Sequence, residues 1–257
     1  MSASVLDVQA TTYRLREVRP QVAILPLAAL EQHGPHLPVA TDWLVIDEIA
    51  RRVAAGLHSA FLLPTLPFGT SLAHNGTPGT VGLAWPTLLH VITDVVESLL
   101  AQGIHRVAVI NNLGEASGPT VQPRGNFITK TAVRQLNYDH PELQALWVQP
   151  LAVAMSDMRA IFDSWHDDVH AGEVETSLML ALRPDLVKGS GWDYVPQVGR
   201  EFTDWVPFAQ LASHGVWGRP GLASAEKGQR ALAAAVQATL KYINDSFAFL
   251  ANARPGV

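Results

Sequence analysis

The sequence predicts a layered α/β domain built on a largely parallel sheet. Short apolar runs alternate with longer segments of helical character along most of the chain, an order in which each helix crosses between parallel strands. Hydrophobic residues make up 48% and charged residues 16%, the balance of a compact core and not of a solvated chain. No internal repeat or low-complexity tract interrupts the alternation.

"QVAILPLAAL" reads as a buried strand, and "TDWLVIDEIARRVAAGL" as a helix whose Thr41 caps the first turn. "AFLLPTLPFG" is a second strand, which its prolines restrict to a short segment or an edge. In "WPTLLHVITDVVESLLAQG", Pro86 suits a helix start and Gly103 a helix end. Then follow a strand in "HRVAVINN", a helix in "NFITKTAVRQL", a strand in "LQALWVQPL", a helix in "EVETSLMLAL" and a long closing helix in "AEKGQRALAAAVQATLKYINDSFAFL". The Gly-, Pro- and Trp-rich segment from Lys188 to Gly221 reads as an ordered surface excursion. In such sheets, ligands gather beyond the carboxyl ends of the strands.

Composition narrows the functional classes. A formal charge of -5 without any Lys/Arg-rich run argues against nucleic acid. No apolar run reaches the roughly 18 residues of a membrane span, and the first residues lack a basic-then-apolar leader. The expectation is a soluble, unprocessed protein, compatible with the cytoplasm, acting on a small molecule. With no cysteine in the chain, any metal is held by His, Asp or Glu.

"LPLAALEQHGPHLPVATD" gathers Glu31, His33, His36 and Asp42 where a strand gives way to a helix. In extended chain, residues two apart share a side, so Glu31 and His33 reach one point while Gln32 faces away. A carboxylate and an imidazole together suit zinc, manganese or ferrous iron, and Asp42 completes the set if the loop folds back. The bland readings are a surface His36 between prolines, an Asp42 that only complements a helix start, and a satisfied buried Glu31. A buried carboxylate needs partners that the local sequence does not supply, which favours metal binding.

"WHDDVHAGEVETSLMLAL" places His170, Glu173 and Glu175 where a loop becomes a helix, so that one glutamate can enter a site while the other caps. In "SLAHNGTPGTVGL" turn chemistry explains the glycines and Pro78, and His74 is the functional candidate.

These segments, in this order and together with "GVWGRPGLASAEKG", resemble the creatininase (creatinine amidohydrolase) family, which includes formamidopyrimidine-type deformylases and mycofactocin-maturing peptidases. The resemblance covers most of the chain. It implies one creatininase-like domain over residues 1–257, a three-layer α/β/α fold, frequent assembly of homo-oligomers as hexamers, and a site that often holds two divalent metals. By the same resemblance Glu31 is a ligand to one metal, His33 to the other, Asp42 the bridge, Glu173 the acid completing the second sphere, and His170 the histidine that assists proton transfer.

One departure stands out. Where the family carries a pattern like Asn-Gly-His-Gly-Gly-Asn, this chain reads "INNLGEASGPTVQPRGNFITK", with Leu113 in place of the histidine ligand. In another register Glu115 substitutes as an oxygen ligand. The reading that results is a hydrolase of cyclic or other non-peptide amide C–N bonds with about one zinc, manganese or iron ion per chain, held by His33, Asp42 and Glu173. Glu31 then acts as general base and His170 protonates the departing nitrogen. His74, His166, Asp167 and Arg124 are the substrate-contact candidates; creatinine itself is disfavoured because His166, not Trp, stands four residues before His170. The rivals are a diverged enzyme performing ring opening, cyclisation or elimination, and a metal-free binding protein of the same fold.

Overall fold

A computed structural model describes residues 5–111 and 124–253, with the backbone alone for 124–126. Four parallel strands, β1 (Val22–Leu27), β2 (Ala60–Leu62), β3 (Arg106–Asn111) and β4 (Gln144–Val148), form one sheet in the order β2-β1-β3-β4. Ile24 aligns with Leu62 on one side and Ala108 on the other, and Val109 aligns with Trp147. The helices are α1 (Thr12–Val18), α2 (Thr41–Gly56), α3 (Trp85–Leu100), α4 (Arg124–Asp139), α5 (Pro150–Val153), α6 (Met155–Ile161), α7 (Glu173–Leu182), α8 (Phe208–Leu211) and α9 (Ala225–Ala253).

The period-2 alternation of each strand divides the interior into two cores. Val22, Ile24, Ala108, Ile110 and Val148 pack with residues of α2, α7 and α9. Ala23, Leu25, Leu27, Val107 and Val109 pack instead with residues of α3 and α4. The result is the three-layer α/β/α arrangement. Because both sheet faces are covered, all six residues of β1 are buried, as expected of a continuous apolar run in a parallel sheet.

The prolines after Leu63 confine β2 to three residues on the sheet edge. Thr41 does not cap α2: Ala40 is the capping position, and the Thr41 hydroxyl donates to the Pro38 carbonyl. Pro86 lies in the first turn of α3, and Gly103, at φ 80°, follows its end. The short helices α1, α5, α6 and α8 give too brief a periodic signal to read from sequence. The segment from Lys188 to Gly221 is more than a surface excursion, since it sends Phe208, Val216 and Trp217 into the interior.

The longest helix, α9, packs closely on α7. A Cβ placed on Gly228 would lie 1.9 Å from the Ser177 carbonyl oxygen, so only glycine allows this approach of the two backbones. That packing fixes the rotation of α7, and with it the direction of each of its glutamates.

Candidate metal centre

The chain leaving β1 touches α7 through His36 and Thr176 and turns into α2 at Thr41. Backbone and side-chain bonds hold it there: Glu31 N–H donates to the Val39 carbonyl, and Gln32 N–H to the Thr80 hydroxyl. Gly34 supplies a left-handed φ of 64° at a point where a Cβ would meet Val216 at 2.7 Å. His170 is fixed from the opposite side by a two-way backbone pairing with Trp217. Around the resulting point stand Glu31, His33, Asp42, His74, His170 and Glu175, all buried.

Three overlapping groups bring candidate ligand atoms within 4.8 Å of one another: Glu31, His33 and Asp42; His33, His170 and Glu175; and Glu31, His74 and His170. His33 Nε2 lies 3.6 Å from Asp42 Oδ1 and 3.6 Å from Glu175 Oε2. A tetrahedral ion bound at about 2.1 Å separates its ligand atoms by roughly 3.4 Å, so each of these two pairs has the spacing of ligands to a common ion. The His33 Nδ1–H donates to the Glu31 carbonyl (2.9 Å), so Nε2 faces both carboxylates and is the lone pair of the neutral ring. His170 is similar: Nε2–H donates to the Gln32 carbonyl (2.6 Å), leaving Nδ1 toward Glu31 at 3.8 Å. Imidazoles tied back to carbonyls in this way are the usual form of metal-ligating histidine. His33 Nε2, Asp42 Oδ2 and His170 Nδ1 are buried without hydrogen-bond partners, a costly arrangement that an ion would relieve. The donor set fits zinc, manganese or iron.

The electrostatics are those of crowded acids and imidazoles. Burial opposes a charge on His33, but Asp42 and Glu175 outweigh it and hold the imidazole well above its usual range. Burial also raises Asp42, against the pull of His33. Burial and then the charge on His33 push His74 down to about 3 and His36 down to about 4, and the same two causes lower His170.

The glutamates of α7 take different sides from those expected. Glu173 stays out of the cluster: its carboxylate accepts from the Ser164 N–H and hydroxyl and pairs with Lys227. Glu175 is the one beside His33, and it also accepts from the Ala171 N–H. Residues two apart on a helix point about 200° apart, so only one of them can face the cluster. Ser177, one turn after Glu173, lies against α9, which places Glu173 on that side too.

Other candidates fall elsewhere. His36 is not a surface residue but is buried, with Nε2 bonded to the Thr176 hydroxyl at 2.9 Å. His166 is exposed, and Asp167 pairs with Arg219 at 3.1 Å, so neither faces the cluster. Trp165 packs against Phe162 in the core. Glu115, Leu113 and the side chain of Arg124 lie outside the described residues.

Sequence reasoning missed Gln32 and Phe208. Gln32 turns away from His33, yet its carbonyl receives His170 and its amide contacts His74 at 3.0 Å. Phe208, at the start of α8, lies tilted over His74 with ring centroids 4.5 Å apart and edges His170; an apolar residue so far along the chain carries no signal of such contacts. Gln32, Phe208, Trp192 and His214 help line a cavity of about 400 Å³ next to the cluster.

Residues 8–243 match the family model described as creatininase, creatinine amidohydrolase. The chain belongs to the creatininase family. A creatinine amidohydrolase from Pseudomonas putida is 31% identical over 240 residues, covering 88% of this chain and 90% of that protein. A mycofactocin precursor peptide peptidase from Mycolicibacterium smegmatis is 29% identical over 236 residues, covering 87% and 84%. A solved creatininase described with manganese superposes with a TM-score of 0.78 at 27% identity, covering 95% of this chain and 99% of that one. The protein is thus a creatininase-like hydrolase with the fold of that family.

Proposed function

We propose that this protein hydrolyses a cyclic or other non-peptide amide C–N bond with one divalent ion per chain, held by His33, Asp42 and Glu175. The observation that carries the reading is His33, whose Nε2 lies 3.6 Å from each of two carboxylates while its Nδ1–H is tied to a backbone carbonyl. An ion there supplies Lewis acidity to a substrate carbonyl. Glu31 takes a proton from water as the new C–O bond forms. His170 Nδ1, a lone pair 3.8 Å from Glu31 Oε1, relays that proton to the nitrogen as the C–N bond breaks. Because His170 Nε2–H is committed to Gln32, His170 must receive a proton before it can give one.

A single ion is favoured by the sequence, since Leu113 occupies the place of the family's remaining histidine ligand and leucine cannot ligate. A small substrate is favoured by the adjoining cavity of about 400 Å³, which is of small-molecule size. The peptidase relative supports a second reading, a peptide bond as substrate. Elemental analysis after dialysis against zinc, manganese or iron, followed by product analysis with a panel of lactams, formamides and short peptides, tests both points. One ion per chain and turnover of a cyclic amide support the proposal; full turnover in metal-free protein overturns it.

A further inference from the structure

The Gln32 side chain uses both ends of its amide. Its Oε1 accepts from the Gly34 N–H at 2.9 Å, which identifies the other end as the NH2 group. That NH2 lies 3.0 Å from His74 Nδ1. An NH2 group only donates, so Nδ1 must be a lone pair, and the neutral ring carries its hydrogen on Nε2. Nε2 lies 3.9 Å from Glu31 Oε1 and so presents an N–H where His170 presents a lone pair. The place of the amide is built into the fold: a Cβ on Gly215, which has φ 74°, would lie 2.1 Å from Gln32 Oε1.

We infer that Gln32 is a positioning residue that fixes His74 as the Nε2–H tautomer, making His74 a neutral hydrogen-bond donor to the substrate carbonyl oxygen and not a metal ligand. The inference rests on the amidohydrolase reading for the identity of the acceptor. A neutral imidazole N–H suits this task because it stabilises developing negative charge without moving a proton. It also removes one of the three ligand groups around the cluster, that of Glu31, His74 and His170, which agrees with a single ion.

The test uses the full chain labelled with 15N-histidine. Long-range 1H–15N spectra report the tautomer of each ring, and His74→Gln assigns the His74 signals. The expected result is Nε2–H in the natural protein and Nδ1–H in Gln32→Glu, whose carboxylate can only accept from the ring. With the substrate found in the amide panel, Gln32→Glu lowers kcat by about 100-fold, the size of losing one oxyanion donor, with KM little changed. Gln32→Met, which lacks both amide contacts, shows mixed tautomers and an intermediate kcat, and thermal melts confirm that both variants fold. An Nδ1–H signal in the natural protein overturns the inference, as does a tautomer switch that leaves kcat unchanged. If the tautomers behave as expected but no amide or peptide is turned over, the amidohydrolase reading fails and the positioning of His74 by Gln32 stands.

Discussion

Glu173 and Glu175, two residues apart on α7, serve opposite sides of the helix: Glu175 faces His33 at 3.6 Å, whereas Glu173 faces Ser164 and Lys227. Their chemistry separates accordingly. Glu175→Gln removes an anionic ligand and is expected to weaken ion binding by about 10-fold or more, since even outer partners of a metal site are worth that much. Glu173→Gln keeps ion affinity within a few-fold, because the Ser164 bonds can still form. Titration of both apo-variants with zinc, read by calorimetry, checks the contrast; equal losses would contradict the geometry.

Lys227 gives the complementary prediction. It compensates Glu173, which is fully buried, and also bonds Asp163 and the Leu222 carbonyl. Lys227→Met leaves that carboxylate without its cation, and removing one partner of a buried pair costs about 3 kcal/mol. Urea unfolding should show this loss, and Lys227→Met with Glu173→Gln together should recover part of it. Zinc content per chain is expected to be unchanged, because neither residue faces the cluster.

Much of this was legible in the sequence, for reasons the structure makes plain. The strands of the central sheet are apolar runs covered on both faces, and α3 and α9 carry long periodic patterns. Glu31, His33 and Asp42 lie within twelve positions of one another on a strand exit, a helix start and the loop between them, so local spacing brings them together. The choice between Glu173 and Glu175 was not legible, because it depends on the phase of α7 set by contact with α9 at Gly228. His36 was hidden for the same reason: its partner, Thr176, is 140 positions away. The contribution of Phe208 requires knowing that α8 packs against His74 and His170.

Asp168 sets a pH dependence of stability. It is buried at the start of α7, accepts from the Val174 N–H at 3.0 Å, and is pushed up to about 8, chiefly by burial. The folded state therefore holds a proton that the unfolded chain has released above pH 4 or so. Its contribution to stability is full below the unfolded value and is lost progressively as pH rises through about 8, at a slope of at most about 1.4 kcal/mol per pH unit. Asp168→Asn keeps an acceptor for Val174 and cannot ionise. Urea midpoints of the metal-free protein at pH 5 and pH 9 should therefore differ less in the variant than in the natural chain.

The contact of Gly228 with Ser177 joins stability to the site. Alanine at position 228 would place its Cβ 1.9 Å from a backbone oxygen, and backbone cannot move aside as a side-chain tip can. Overpacking of this kind typically costs about 1–3 kcal/mol, more than the gain in helix propensity of about 1 kcal/mol from Gly to Ala. The net loss in urea is expected to be accompanied by weaker zinc binding, because a shift of α7 moves Glu175 relative to His33. Gly56→Ala is the control: the atoms its Cβ would meet are those of the Leu240 side chain, nearest at 2.7 Å, and none belongs to α7. That variant should keep its zinc affinity, so weakening confined to Gly228→Ala would show that the α7–α9 contact holds the ligand in place.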